Sequence, residues 1–168
     1  CPSCLGMEIV NNTDRVTRGD RELWDELLQV VIPKGRNIWA FADDDSEKLN
    51  EVGRSFEFFV LPENNEANVK KAMKDGNFFA ASKYYKTTDG VGDFDGDGNV
   101  PLVTDIKVDQ KANTITVATD PTRDCRVIEW IADGKVIATG NTIDLNDYEK
   151  DLGCYIRFQM KGSGGVTY

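Results

Sequence analysis

Histidine is absent from the 168 residues. That absence removes every mechanism that needs an imidazole base within the chain, the Ser-His-Asp and Cys-His arrangements included. It also removes the usual histidine-bearing zinc and iron sites, so a metal here must be held by oxygen ligands or by the few cysteines. Positive charge is scarce too: 20 Lys and Arg stand against 29 Asp and Glu, a net charge of −9. Phosphate backbones and anionic membrane surfaces demand clustered Lys and Arg. The composition therefore argues against nucleic acid and membrane as partners, and for cations. No apolar run approaches the roughly 20 residues of a membrane span. No signal peptide is visible. The chain opens Cys1-Pro-Ser-Cys4 without Met, which reads as an excised or processed piece, and the compartment stays open between the cytoplasm and the cell surface or secretion.

What is present is a globular composition, 40% hydrophobic, long enough for one ordinary domain or two small ones. Residues 1–86 read as alternating strand and helix. Gly6 to Val10 is a short strand. Asp20 is placed to cap a helix over 21–31, with Leu23, Trp24, Leu27, Leu28 and Val31 at helical spacing. Asn37 to Ala42 is an almost wholly apolar strand. A short helix over 46–52, a strand over 56–61, a helix from Asn65 to Gly76 and a strand over 78–81 follow. The order is β-α-β-α-β-α-β, that of an α/β layer. After Pro101 the period becomes two, and short strands alternate with turns such as Asp133-Gly134 and Gly140-Asn141. Residues 102–168 are thus expected to form an antiparallel β-sandwich, with 87–101 as an acidic, Gly- and Asp-rich linker loop. Trp24, Trp39, Phe58, Phe78 and Phe79 are expected in one core, and Ile128, Trp130, Ile156 and Phe158 in another. This two-domain division requires that no single sheet run through both halves.

The stretch FADDDSEK, residues 41–48, ends an apolar strand in three aspartates. Strand ends of α/β folds present metals and catalytic groups. The same acids also suit a solvated loop and a helix cap at Ser46. Four segments carry a resemblance: Gly6-Met-Glu-Ile-Val-Asn, Leu23-Trp-Asp-Glu-Leu-Leu, Ile38-Trp-Ala-Phe-Ala-Asp-Asp-Asp-Ser-Glu, and Val69 to Ser82. In this order they resemble the C-terminal part of a PHP (polymerase and histidinol phosphatase) domain, a distorted β/α barrel. The resemblance implies a metal-dependent phosphoesterase-type protein in which Asp45 falls on a metal ligand. Glu47 stands where the family has histidine. A carboxylate there suits Mg²⁺ or Mn²⁺ better than zinc. The family's upstream His-x-His pair is not in this chain. The resemblance therefore implies a degenerate site, Asp45 and Glu47, with no catalytic residue in this fragment and with the upstream half of its own domain as partner. The alternative is an active phosphoesterase when that half, with Mn, Mg or Zn, is joined to it.

Val127-Ile-Glu-Trp-Ile-Ala-Asp-Gly-Lys and Asp151-Leu-Gly-Cys-Tyr-Ile-Arg resemble the small bacterial immunoglobulin-like sandwich that follows some PHP-like domains. Arg157 stands where that pattern has cysteine. Modules of this kind bind a protein or carbohydrate partner or brace a neighbour. Cys125 and Cys154 read either as a bridge across neighbouring strands or as free thiols. Tyr84 and Tyr85, beside Lys83 and Lys86, read either as cleft lining or as cover for a strand edge. Residues 93–100, DFDGDGNV, fit the first eight positions of an EF-hand-type calcium loop: Asp93, Asp95, Asp97 and the Asn99 carbonyl as ligands, Gly98 at the turn. Thr104 stands at the twelfth position instead of Glu. The expected cofactor is calcium in a structural role; the other reading is an interdomain turn.

Overall fold

A computed structural model describes residues 4–13, 17–86 and 93–168. Among these lie two α-helices and thirteen β-strands, a mixed α+β chain whose strands pair mostly antiparallel.

β1 (Gly6–Asn11) and β2 (Trp39–Asp43) pair in parallel, Gly6 opposite Trp39 and Asn11 opposite Asp43. α1 (Asp20–Val31) makes the crossover and buries Arg21, Trp24, Asp25 and Leu28, spaced by one helical turn. The Trp24 indole donates to the Ile38 carbonyl at 2.7 Å. Leu23 and Val30 lie on the opposite face and are exposed. Asp20 is not the cap; it is the first helical residue, where its charge favours the helix dipole, and Gly19 caps without a side-chain bond.

Parallel pairing ends there. β3 (Ser55–Phe59) and β4 (Phe78–Ser82) are antiparallel, with Ser55 opposite Ser82 and Phe59 opposite Phe78. α2 (Glu66–Asp75) lies between them, started by the Asn65 side chain accepting from the Asn68 N–H and ended by left-handed Gly76. The excursion leaves and returns at one end of the strand pair, where the Val60 N–H donates to the Asn77 carbonyl at 2.9 Å. Of the α/β layer expected over residues 1–86, only the first two strands pair in parallel. Periodicity reports which face is buried, not the direction of the neighbouring strand. The expected helix over 46–52 shrinks to a 3₁₀ turn at Leu49–Glu51, because Leu49 and Val52 have nothing to bury against and stay exposed.

β5 (Tyr84–Lys86) and β6 (Asp93–Asp95) form a small antiparallel ribbon. β7 (Val103–Asp109) and β8 (Thr114–Thr119) follow, then β9 (Val127–Ala132) and β10 (Lys135–Thr139). β11 (Thr142–Asp144), β12 (Arg157–Gly162) and β13 (Gly165–Thr167) complete the order. One sheet runs β11-β8-β7; the other contains β10-β9-β12-β13. Between them pack Val117, Ile128, Trp130, Ile143 and Met160, with Ile156 and Phe158 half-buried against them. This is the β core that the period-two pattern implies.

The division at residue 101 does not hold for the sheet. β13 also pairs with β4, Val166 opposite Ser82 and Thr167 opposite Ala81. Six strands from both sides of the junction make one sheet, β10-β9-β12-β13-β4-β3. Two structurally separate domains, 1–86 and 102–168, are therefore corrected to two apolar clusters on one shared sheet. Each of the two edges leaves a row of unpaired N–H and C=O groups, and joining them satisfies both. The first cluster holds Ile9, Val10, Trp24, Leu28, Ile38, Ala42 and Ala80, and takes Tyr155 and Tyr168 from the far side of the junction. Of the side chains expected in it, Trp24 is present, while Trp39, Phe58, Phe78 and Phe79 are only half-buried. The end of the expected linker is no free loop either. Val100 and Pro101 are fully buried, and the Thr167 hydroxyl donates to the Pro101 carbonyl at 2.5 Å.

Candidate functional site

The parallel strands β1 and β2 bring their C-terminal ends together, and acids gather there. Glu8 of β1 accepts from the Asn11 side-chain amide at 3.1 Å. Glu57 reaches over from β3 and accepts from the Ala42 N–H at 2.8 Å. Burial pushes Glu8 upward, and the Asp43 carboxylate, in hydrogen-bonding range, and the Asp45 charge add to the rise. Glu57 is pushed up to about 6, mainly by burial and then by the charges of Asp43, Asp44 and Glu8. Like charges held together in a partly dry place disfavour their own ionisation.

The three aspartates have different occupations. Asp43 closes β2 and is exposed. Asp44 is a local clasp: its two oxygens accept from the backbone N–H groups of Gly53 at 2.6 Å, Arg54 at 2.6 Å and Ser55 at 2.8 Å. It thus ties the loop after β2 to the start of β3. Asp45 takes a left-handed backbone, φ 44, rarely adopted by non-glycine residues, and is exposed. Glu47 is exposed in the next turn, where its N–H donates to Glu51 at 3.0 Å. Asp45 therefore acts electrostatically on the acidic end, while the Glu47 backbone is held by the turn. Among the described residues no group of three or more His, Cys, Asp or Glu side chains could hold a metal ion. The donors present do not make up the ligand set that the PHP resemblance implies, since Asp44, Glu8 and Glu57 are already engaged by N–H donors.

Glu8 and Glu57 were missed as members of this cluster. Glu57 had a signal, because it is an acid inside the aromatic strand Phe56-Glu57-Phe58-Phe59. An acid in such a run needs a polar partner at its end of the sheet.

In the acidic loop, the side chain of Asp93 lies outside the described residues. Asp95 is exposed and pairs with the Lys83 ammonium at 3.1 Å. Asp97 accepts from the Asn99 N–H at 2.8 Å, a turn closed on itself. The Asn99 carbonyl packs on Gly164, where an added Cβ would lie 2.1 Å from it. A calcium ion here would have to displace Lys83 from Asp95. The loop is held on two sides: Gly98 N–H donates to the Gly164 carbonyl of the β12–β13 hairpin at 3.0 Å, and Gly96 N–H donates to the carbonyl of Lys83, between β4 and β5, at 2.8 Å.

The half-buried aromatics have their own place. Trp39, Phe78, Phe79, Tyr155 and Phe158 line an apolar cleft of about 280 Å³ where α1 and β4 meet β12. The cysteines 125 and 154 are free thiols, the first beside the Val127 carbonyl and the second beside that of Leu28. Comparison with protein-family models, with curated proteins and with solved structures found no match.

Proposed function

We propose that this chain is the C-terminal portion of a PHP-like, metal-dependent phosphoesterase-type protein whose metal site is degenerate, and that by itself it serves as a non-catalytic module. One observation carries the reading: Glu8, Asp43 and Glu57 converge, with Asp45 beside them, at the C-terminal end of a parallel strand pair, in a chain without imidazole. That is where α/β folds carry their sites. Glu8 and Glu57 are pushed up first by burial and then by the neighbouring acids, a strain that a hard divalent cation relieves. Carboxylates alone, several of them already bonded, leave such an ion mostly to water, so binding is weak. The sandwich supports the second half of the reading. Strands in the orders β11-β8-β7 and β10-β9-β12-β13 enclose Trp130, as an immunoglobulin-like module would, and such a module binds a protein or carbohydrate partner or braces its neighbour.

The test is to assay hydrolysis of p-nitrophenyl phosphate by the 168-residue chain with Mn²⁺, beside Glu47→His and Asp45→Asn, while following Mn²⁺ binding by calorimetry. The expected result is no saturable Mn²⁺ binding below the millimolar range, and no turnover. Turnover by the unmodified chain that is lost in Asp45→Asn overturns the degenerate-site reading. Thermal melts in millimolar calcium and in chelator read the loop 93–99, since an ion bound only to the folded state raises the melting temperature.

A further inference from the structure

We propose that a second cleft, between α1, β5 and β12, is a binding site for a compact oxyanion, a phosphate or carboxylate group. The cleft has a volume of about 190 Å³. Its origin lies in β12, where Phe158 and Met160 point into the sandwich core and the alternate residues Arg157, Gln159 and Lys161 share the other face. Arg21 from α1 and Lys86 from β5 complete a lining of four cationic side chains; Asp25 pairs with Arg157, Glu22 stands 4.0 Å from Lys86, and Glu129 behind the lining pairs with Lys161, so the cations outnumber the carboxylates by one. The chain as a whole has the opposite balance, a net charge of −9. A concentration of cations in one concavity of an acidic protein focuses a local field attractive to anions.

The guanidinium of Arg157 makes the argument specific. Its Nε and Nη2 donate to the two Asp25 oxygens at 2.7 and 2.6 Å, a bidentate pair. Its Nη1 is buried and has no acceptor among the described residues. A buried donor without a partner is costly, and such groups point to a missing water or ion. Lys161 is anchored by Glu129 at 2.9 Å and lies 5.7 Å from the centre of the Tyr85 ring, which stacks on Phe94. These neighbours hold the cations in place in advance, and preorganised donors bind oxyanions with less ordering cost. The site is separate from the acidic end of β1 and β2 and does not rest on the phosphoesterase reading.

The experiment is a titration of the isotope-labelled chain with inorganic phosphate and, separately, acetate, watching the Arg157 side-chain N–H signals and the amides of residues 21, 85, 86 and 159–161. The expected result is saturable shifts at these positions with a dissociation constant in the millimolar range. Response to phosphate alone, or to acetate alone, tells which group the site takes. Lys86→Gln, a change at a surface position, is expected to weaken binding about threefold. Arg157→Lys is expected to weaken it about tenfold, through loss of a charged hydrogen bond. The idea is overturned if neither anion moves these signals, if Lys70, Lys71 and Lys111 respond as strongly, or if Lys86→Gln binds as the unmodified chain does.

Discussion

Glu57 shows how much a single side chain is decided by its neighbours. Its carboxyl is raised from 4.5 to about 6, first by burial and then by Asp43, Asp44 and Glu8. In the unfolded chain those neighbours are dispersed. Between about pH 4.5 and 6 the folded state therefore holds the extra proton, and by linkage stability rises as pH falls through that window. Above it, the ionised carboxylate is a destabilising presence. Glu57→Gln keeps an oxygen to accept the Ala42 N–H but carries no charge. It is expected to melt higher than the unmodified chain at pH 8 and to lose that advantage by pH 4.5. Melting temperatures of both proteins across this range check it; a gap that stays constant with pH would mean that the charge is not the cause.

At the scale of elements, the contact between the acidic loop and the β12–β13 hairpin depends on glycine. A Cβ on Gly164 would lie 2.1 Å from the Asn99 carbonyl carbon and oxygen; at the end of β12, one on Gly162 would lie 1.9 Å from the carbonyl oxygen of Asp124, in the segment before β9. Both obstacles are backbone, which cannot swing away as a side chain does. Gly164→Ala is expected to cost about 1–3 kcal/mol, the range for overpacking. Gly19→Ala, which meets no atom within 4 Å, is expected to change stability by less than about 0.5 kcal/mol. Denaturant unfolding of the two variants tests the contrast. Equal effects would mean that the loop does not sit on the hairpin.

For the whole molecule, the shared sheet and one buried ion pair join the two apolar clusters. Asp25 of α1 and Arg157 of β12 meet at 2.6 Å, their side chains 5% and 13% exposed. Tyr155 donates to the same carboxylate at 2.8 Å, and burial together with that charge pushes its phenol upward. Unfolding is expected to be a single cooperative transition. Asp25→Ala is expected to lower the stability of the whole by about 3–5 kcal/mol, because it strands a buried guanidinium. Calorimetry that resolves two transitions, with only one moved by Asp25→Ala, would restore two independent domains.

Much of this was legible in the order of residues. The switch from helical to twofold period near residue 100, the Asn65 cap, the Gly76 stop and the separate membership of Trp24 and Trp130 in two apolar clusters are all local patterns. Each depends on residues a few positions apart, and local geometry imposes it wherever the segment lies. Pairings between distant segments were not legible. That β4 meets β13, that Glu57 leans over the end of β2 and that Arg157 finds Asp25 depend on edges and charges far apart in sequence. Strand edges carry no sequence mark of their partner, because every backbone offers the same N–H and C=O groups. A titrating carboxylate has no fixed character until folding sets its burial and its neighbours. The acidic run at 43–45 was therefore visible from the start, while its division into a clasp at Asp44 and a charged end around Glu8, Asp43 and Glu57 was decided by the tertiary structure alone.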